Sequence, residues 1–160
     1  MNKTQLQHLI LERLQADLAQ ARQAAQSAHE AATHEENIAE NKYDTLGLEA
    51  SYLAAGQSRR VEEIRQALSA WQSLQLRAFD AEQGIQLGAL VWLADARGNE
   101  QCLLLGPDGA GAKVVLDGQQ VQVISPRAPL GQRLLGCGPG DDIEIRVGDR
   151  LQRFEVLQAE

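Results

Sequence analysis

Two apolar seams in the first eighty residues run as mirror images of each other, and they limit how the chain can fold more than any other feature. From Leu11 the apolar positions step by three and four in alternation: Leu11, Leu14, Leu18, Ala21, Ala25, Ala28 and Ala32. A second run, Gly47, Ala50, Ala54, Gln57, Val61, Ile64, Leu68 and Trp71, steps in the same way but begins with its small residues. Such steps are the spacing of a coiled-coil seam. Leu11 with Leu68, Leu18 with Val61, Ala25 with Ala54 and Ala32 with Gly47 all straddle one midpoint between residues 39 and 40. A chain folded back there pairs large with large at one end and small with small at the other. The spacing therefore predicts an antiparallel helical hairpin over residues 1–80. Arms of about 30 residues would reach roughly 45 Å, and Ala-lined helices would keep the far end thin. A packed helical pair or a homodimerising coiled coil shares the spacing, although the reversed size gradient argues against a long parallel dimer.

Composition changes where the seams end. Residues 1–80 contain none of the four Pro, two of the fourteen Gly and four Val or Ile, whereas residues 81–160 hold all the Pro, twelve Gly and eleven Val or Ile. A helical segment followed by a β-rich one has this signature. Apolar runs at 87–93 and 101–105 flank a turn at Asp95–Gly98, and runs at 113–116 and 120–124 flank Asp117-Gly118. A short helix is expected through Leu130, Leu134 and Leu135, then strands at 142–147 and 153–157 around Gly148-Asp149. The predicted fold class is α+β: a helical hairpin over 1–80, then a small antiparallel β domain with one short helix over 83–160.

Residues 35–44 lie around the reversal and read Glu-Glu-Asn-Ile-Ala-Glu-Asn-Lys-Tyr-Asp. Glu35, Glu36, Glu40 and Asp44 thus gather near one end of the hairpin with Lys42 as the only cation. Clustered carboxylates repel one another unless positive charge is brought to them, and a hard cation such as Mg²⁺, held by one or two carboxylates plus other oxygens, meets that need. Glu36, Glu40 and Asp44 are the candidate metal-facing residues. A solvated acidic loop is the plainer alternative.

Charge and motif content exclude other classes. The net charge is −7 and both halves are acidic, so no basic face suits duplex DNA. No apolar stretch approaches the roughly 20 residues of a membrane span, and a cytoplasmic protein is the expectation. His29-Glu30-Ala31-Ala32-Thr33-His34 spaces its histidines five apart, so they diverge around a helix and fail as a zinc motif. Gly106 to Lys113 lacks the Gly-Lys-Ser/Thr ending of a phosphate loop. All three His lie in the first half and both Cys, Cys102 and Cys137, in the second, which leaves no nucleophile pair; no enzymatic activity of its own is expected.

An acidic-tipped hairpin before a small β domain resembles the bacterial Gre transcript-cleavage factors. Ile124-Ser125-Pro126-Arg127-Ala128-Pro129-Leu130-Gly131-Gln132-Arg133-Leu134-Leu135-Gly136 looks like the family's I-S-x-x-S-P-L-G-x-A-L-L-G segment, and Pro139 to Ile145 like its strand entry. The resemblance implies an FKBP-like second domain that docks on RNA polymerase, with Ser125, Pro126, Ala128 and Pro129 at the contact. It implies a monomer whose hairpin enters the polymerase's secondary channel, where tip carboxylates share the catalytic Mg²⁺ and promote cleavage of backtracked RNA. Pro129 matches the family's docking proline, while Ala128 replaces its serine. Glu40-Asn41 and Tyr43 resemble the family's E-N-x-x-Y, with the tyrosine one residue early. Asn37 stands where the family has aspartate, beside Glu36. These departures leave a non-cleaving regulator or inhibitor of transcription as the second reading. A structural coiled-coil dimeriser and an FKBP-like prolyl isomerase are the readings from other classes.

Overall fold

A computed structural model describes residues 1–38, 45–109 and 111–160. The elements run α1 (Lys3–Ile38), α2 (Thr45–Ser73), β1 (Leu90–Asp95), β2 (Glu100–Leu105), β3 (Lys113–Leu116), β4 (Gln119–Ile124), α3 (Pro129–Leu134), β5 (Asp142–Val147) and β6 (Arg150–Ala159). They divide into two compact units, residues 12–68 and the combination of 1–11 with 69–160.

Among the described residues, the unit at 12–68 consists of α1 and α2. From Glu12 to Ile38 a helix is roughly 40 Å long, while the residues between Ile38 and Thr45 span at most about 20 Å. Two such helices form one compact unit only if the second returns along the first. The seam residues carry the packing: Leu14, Leu18, Ala21, Ala28, Ala32, Ile64 and Leu68 are buried. Ala25, Ala50, Ala54, Gln57 and Val61 are half-buried. Outward positions are polar and bond along the helix, as Arg13 does to Asp17 (3.3 Å) and Gln26 to Glu30 (2.9 Å). The position of the reversal near residues 39 and 40 lies outside the described residues.

The other unit contains a six-stranded sheet in the order β3-β4-β2-β1-β6-β5. Four of its five pairings are antiparallel, as expected; β2 and β4 pair in parallel, with Cys102 opposite Val121 and Leu105 opposite Ile124. The sheet is therefore mixed. The β3–β4 connection is the two-residue loop Asp117-Gly118, both with positive φ (51° and 78°), which matches the twist of the flanking strands. Strand β6 extends beyond the expected 153–157 because it pairs with β1 through its second half and with β5 through its first, Glu155 facing both Ala94 and Asp142.

Both faces of the sheet are covered. On one face Val91, Leu93, Leu103, Leu105, Ile143 and Val156 pack with Ile85 and with Leu134 of α3. Alternation sends Leu90, Cys102, Leu104, Val121 and Val123 to the other face, where they are buried too. The remaining fully buried side chains of this unit are Leu6, Ile10 and Trp71, from the first turns of α1 and the last of α2, and they supply that cover. Asn2 caps α1 by accepting from Gln5 N–H at 3.0 Å, and Gln7 ties the helix ends together by donating to the carbonyls of Trp71 (2.7 Å) and Leu74 (3.0 Å). Lys3 donates to the carbonyls of Arg77, Gly88 and Glu160, and burial there pushes its amine below the usual lysine range despite the opposing Glu160 charge.

Trp71 packs closely against the chain at Gly106, where a Cβ would stand 2.4 Å from its ring. The ring is fully buried and cannot yield. Gly106→Ala is therefore expected to lower unfolding stability by about 1–3 kcal/mol, read from the urea midpoint at constant m-value. Cys102 gives a second expectation. Burial, with a smaller push from the Glu160 charge, raises its thiol from 9.0 to about 12. The folded chain thus keeps a proton that the unfolded chain loses, so stability contributed by this site falls as pH rises from about 9 toward about 12. Urea midpoints measured across that window should fall less steeply for Cys102→Val.

Candidate functional site

Of the tip residues, Glu36 lies on the last described turn of α1, while Glu40 and Asp44 lie outside the described residues. Among the described residues no group of three His, Cys, Asp or Glu could hold a metal ion. Among them also, no helix is long and apolar enough to cross a membrane.

The segment from Ile124 to Gly136 is fully described, and its shape follows from a few backbone locks. Strand β4 ends at Ile124, and Pro126 removes a donor that would continue the ladder. Ser125 is buried; its Oγ accepts from Arg127 N–H at 3.1 Å, and its carbonyl accepts from Ala128 N–H at 3.1 Å. The chain is thereby folded into a tight turn. Ala128 sits at the N-cap of α3 with extended backbone (φ −66°, ψ 149°), and Pro129 opens the helix at a position where a missing N–H costs nothing. Gln132 N–H reaches the Ala128 carbonyl at 2.8 Å, and its side chain donates to the Arg127 carbonyl at 3.2 Å.

Gly131 allows the turn and the helix to touch. A Cβ there would lie 2.0 Å from the Ser125 carbonyl oxygen. The glycine of the quoted motif is thus a packing requirement of the corner, and Ser125 shapes the corner from inside. Pro129, Arg127 and Leu135 face solvent, with Pro126 and Ala128 half-buried. Of the four residues named as partner-facing, Pro129 is the most open and Ser125 the least.

A neighbouring loop braces the corner. Arg127 Nη2 donates to Asp108 Oδ2 at 2.8 Å, and the Asp108 carbonyl accepts from Trp71 Nε1 at 2.8 Å. The sequence places Trp71 at the end of the second seam and gives Asp108 no role; nothing local in the sequence links residues thirty-seven apart. An open cleft of about 770 Å³ lies nearby, lined in part by Arg77, Phe79, Asp80, Gln86 and Pro107. Among the described residues that line it, Phe79 is the one aromatic.

No protein-family model matches the chain, and no curated protein sequence matches it. Among solved structures it is similar to Gfh1 of Thermus aquaticus, at 27% identity over 92% of each chain with a TM-score of 0.40. It is similar to GreA factor homolog 1 (Gfh1) of Thermus thermophilus, at 22% identity over 94% of each chain with a TM-score of 0.38. A third similar structure is the transcription elongation factor GreA/GreB of Nitrosomonas europaea, at 21% identity over 60% of this chain and 78% of that one, with a TM-score of 0.37.

The N-cap of α3 makes no side-chain hydrogen bond to the helix. Ala128→Ser gives the cap an acceptor, so it should raise stability by about 0.5–2 kcal/mol. Thermal unfolding of the two chains side by side measures it; an unchanged or lowered melting temperature would show that the short helix does not use the cap.

Proposed function

We propose that the protein binds bacterial RNA polymerase as a transcription elongation factor, docks through the Pro126–Pro129 corner, and brings the carboxylates of the hairpin's tip to the polymerase active site through the secondary channel. The observation that carries this reading is the Ile124–Gly136 segment. Its residue types resemble the Gre docking segment, and in this chain Gly131 and Ser125 build an exposed proline corner on a buried backbone lock. The helical pair, with Glu36 in α1 and Glu40 and Asp44 in the sequence between α1 and α2, accompanies it in the order that the resemblance implies.

In this reading the protein has no active centre of its own. Carboxylates are hard oxygen donors suited to Mg²⁺, which the polymerase would hold; when bound, the ion supplies charge stabilisation for hydrolysis of backtracked RNA. The role of Glu36 and Glu40 is to deliver negative charge to that centre, with Asp44 beside them. The protein acts as a monomer in the cytoplasm and makes no contact with duplex DNA.

A second reading, a regulator that occupies the channel without promoting cleavage, is favoured by one observation. Asn37 stands where the family's aspartate falls, and a carboxylate displaced by about 1 Å can cost on the order of 10²-fold in rate. The two readings part in one experiment on a stalled, backtracked complex. In the cleavage reading, Glu40→Ala lowers stimulated cleavage by on the order of 10²–10³-fold and leaves polymerase binding nearly unchanged. Binding by the wild-type chain with no cleavage over a range of Mg²⁺ concentrations selects the regulator. Failure of the intact chain to bind core polymerase at micromolar concentration removes both.

A further inference from the structure

We infer that the proline corner recognises a carboxylate-bearing face of its protein partner, with Arg127 as the charged anchor and Asp108 as an internal stand-in for the partner's carboxylate. This rests on the reading that the corner docks on RNA polymerase, and adds the chemistry by which it does so.

The first observation is one of charge. The chain carries −7 overall, yet between Asp117 and Asp141 there is no acidic residue, and the only charges are Arg127 and Arg133. The fold preserves this separation. Ile143 of β5 joins the core cluster that holds Leu134 of α3, and Ile145, two residues on, is buried as well. Strand alternation therefore turns Asp142 and Glu144 to the opposite face of the sheet, away from the corner. Glu144 is paired there with Arg153 at 2.6 Å, and Asp141 is engaged by Gly138 N–H at 2.8 Å. Asp108 is the carboxylate that hydrogen-bonds the corner's arginine.

The second observation is how Arg127 is held. Its main chain is fixed at both ends, N–H on Ser125 Oγ and carbonyl on Gln132 Nε2. Its side chain is 81% exposed and spends one donor, Nη2, on Asp108, itself 61% exposed. A guanidinium has five N–H donors in a planar fork, so most of its capacity to bind a carboxylate faces solvent. Asp108 is not free to wander, because its carbonyl is tied to buried Trp71 and the preceding Gly106 packs on the same ring. The clasp holds the guanidinium beside Pro129 ready for use, which lowers the ordering cost on binding. It also screens part of the cation's charge, and an ion pair this exposed is weak enough to exchange.

Those two roles of Asp108 separate in a measurement. Affinity of the full chain for core RNA polymerase is measured over a range of salt concentrations for the wild type and for Arg127→Ala, Arg127→Lys and Asp108→Asn. Thermal unfolding of each variant checks that the fold is unchanged. Arg127→Ala should weaken binding about tenfold and flatten its salt dependence, because a charge-assisted contact is lost. Arg127→Lys should recover only part of the loss, since an ammonium cannot supply the fork. Asp108→Asn keeps the shape of the loop and removes the competing anion, so it should tighten binding by about two- to threefold. Opposite signs at the two partners of one ion pair are what a purely structural clasp does not give. Arg127→Ala binding like wild type, or Asp108→Asn weakening in step with Arg127→Ala, overturns the inference while leaving the docking reading in place. A wild-type chain that does not bind polymerase overturns both.

Discussion

The burial of Trp71 is the interaction on which the rest of this structure depends. It ends the second apolar seam, yet its ring lies on Gly106 at the end of β2 and its Nε1–H is satisfied by the Asp108 carbonyl. An indole with its one donor paired adds a large apolar area to a core at no polar penalty. Here it serves two elements at once. It helps to close the sheet face formed by Leu90, Leu104, Val121 and Val123, and it fixes the loop that carries Asp108 to Arg127. The helix ends are therefore part of the β unit's core, which is why residues 1–11 belong with 69–160.

The candidate docking corner is built on the same economy. Ser125 and Gly131 are buried and present nothing to a partner, but without the hydroxyl the Arg127 N–H loses its acceptor, and without the glycine α3 cannot approach the turn. What faces outward, Arg127 and Pro129, is set by what cannot be seen from outside. A motif read as a contact surface is thus partly a folding instruction.

How much of this could be read from the sequence depends on how local the cause is. The seams are local periodicities, and Leu14, Leu18, Ile64 and Leu68 are buried as their spacing requires. The Asp117-Gly118 hairpin and the Pro129 helix start are local signals too. The parallel register of β2 on β4 is different: Cys102 faces Val121 only because β3 carries the chain out and back, and no residue pattern announces that. The added length of β6 arises from serving two neighbours, and the division of the helix ends from packing with strands far along the chain. The composition of residues 35–44 is legible, but seam spacing does not fix their helix phase, and residues 39–44 lie outside the described residues. Asp108 had no signal at all, since its role arises from Trp71 and Arg127 meeting in the fold.

The gradient along the hairpin has a physical cost that its use must justify. Burying a leucine contributes roughly 1.5–3 kcal/mol, and an alanine far less, at about 25 cal/mol per Å² of apolar area. The seam passes from Leu14 and Leu18 to Ala28 and Ala32 on one arm and from Ile64 and Leu68 back to Ala54 and Ala50 on the other. Stability per turn must fall in the same direction, because backbone ordering costs the same in every turn while the apolar area gained shrinks. Half-buried Gln57 lowers it further but penalises shifted alignments of the arms, as polar seam residues do in coiled coils. A chain selected for stability alone would have kept leucine throughout. Alanine-lined arms gain less apolar burial per turn, and the channel entry proposed above is a use in which small seam residues would outweigh that loss.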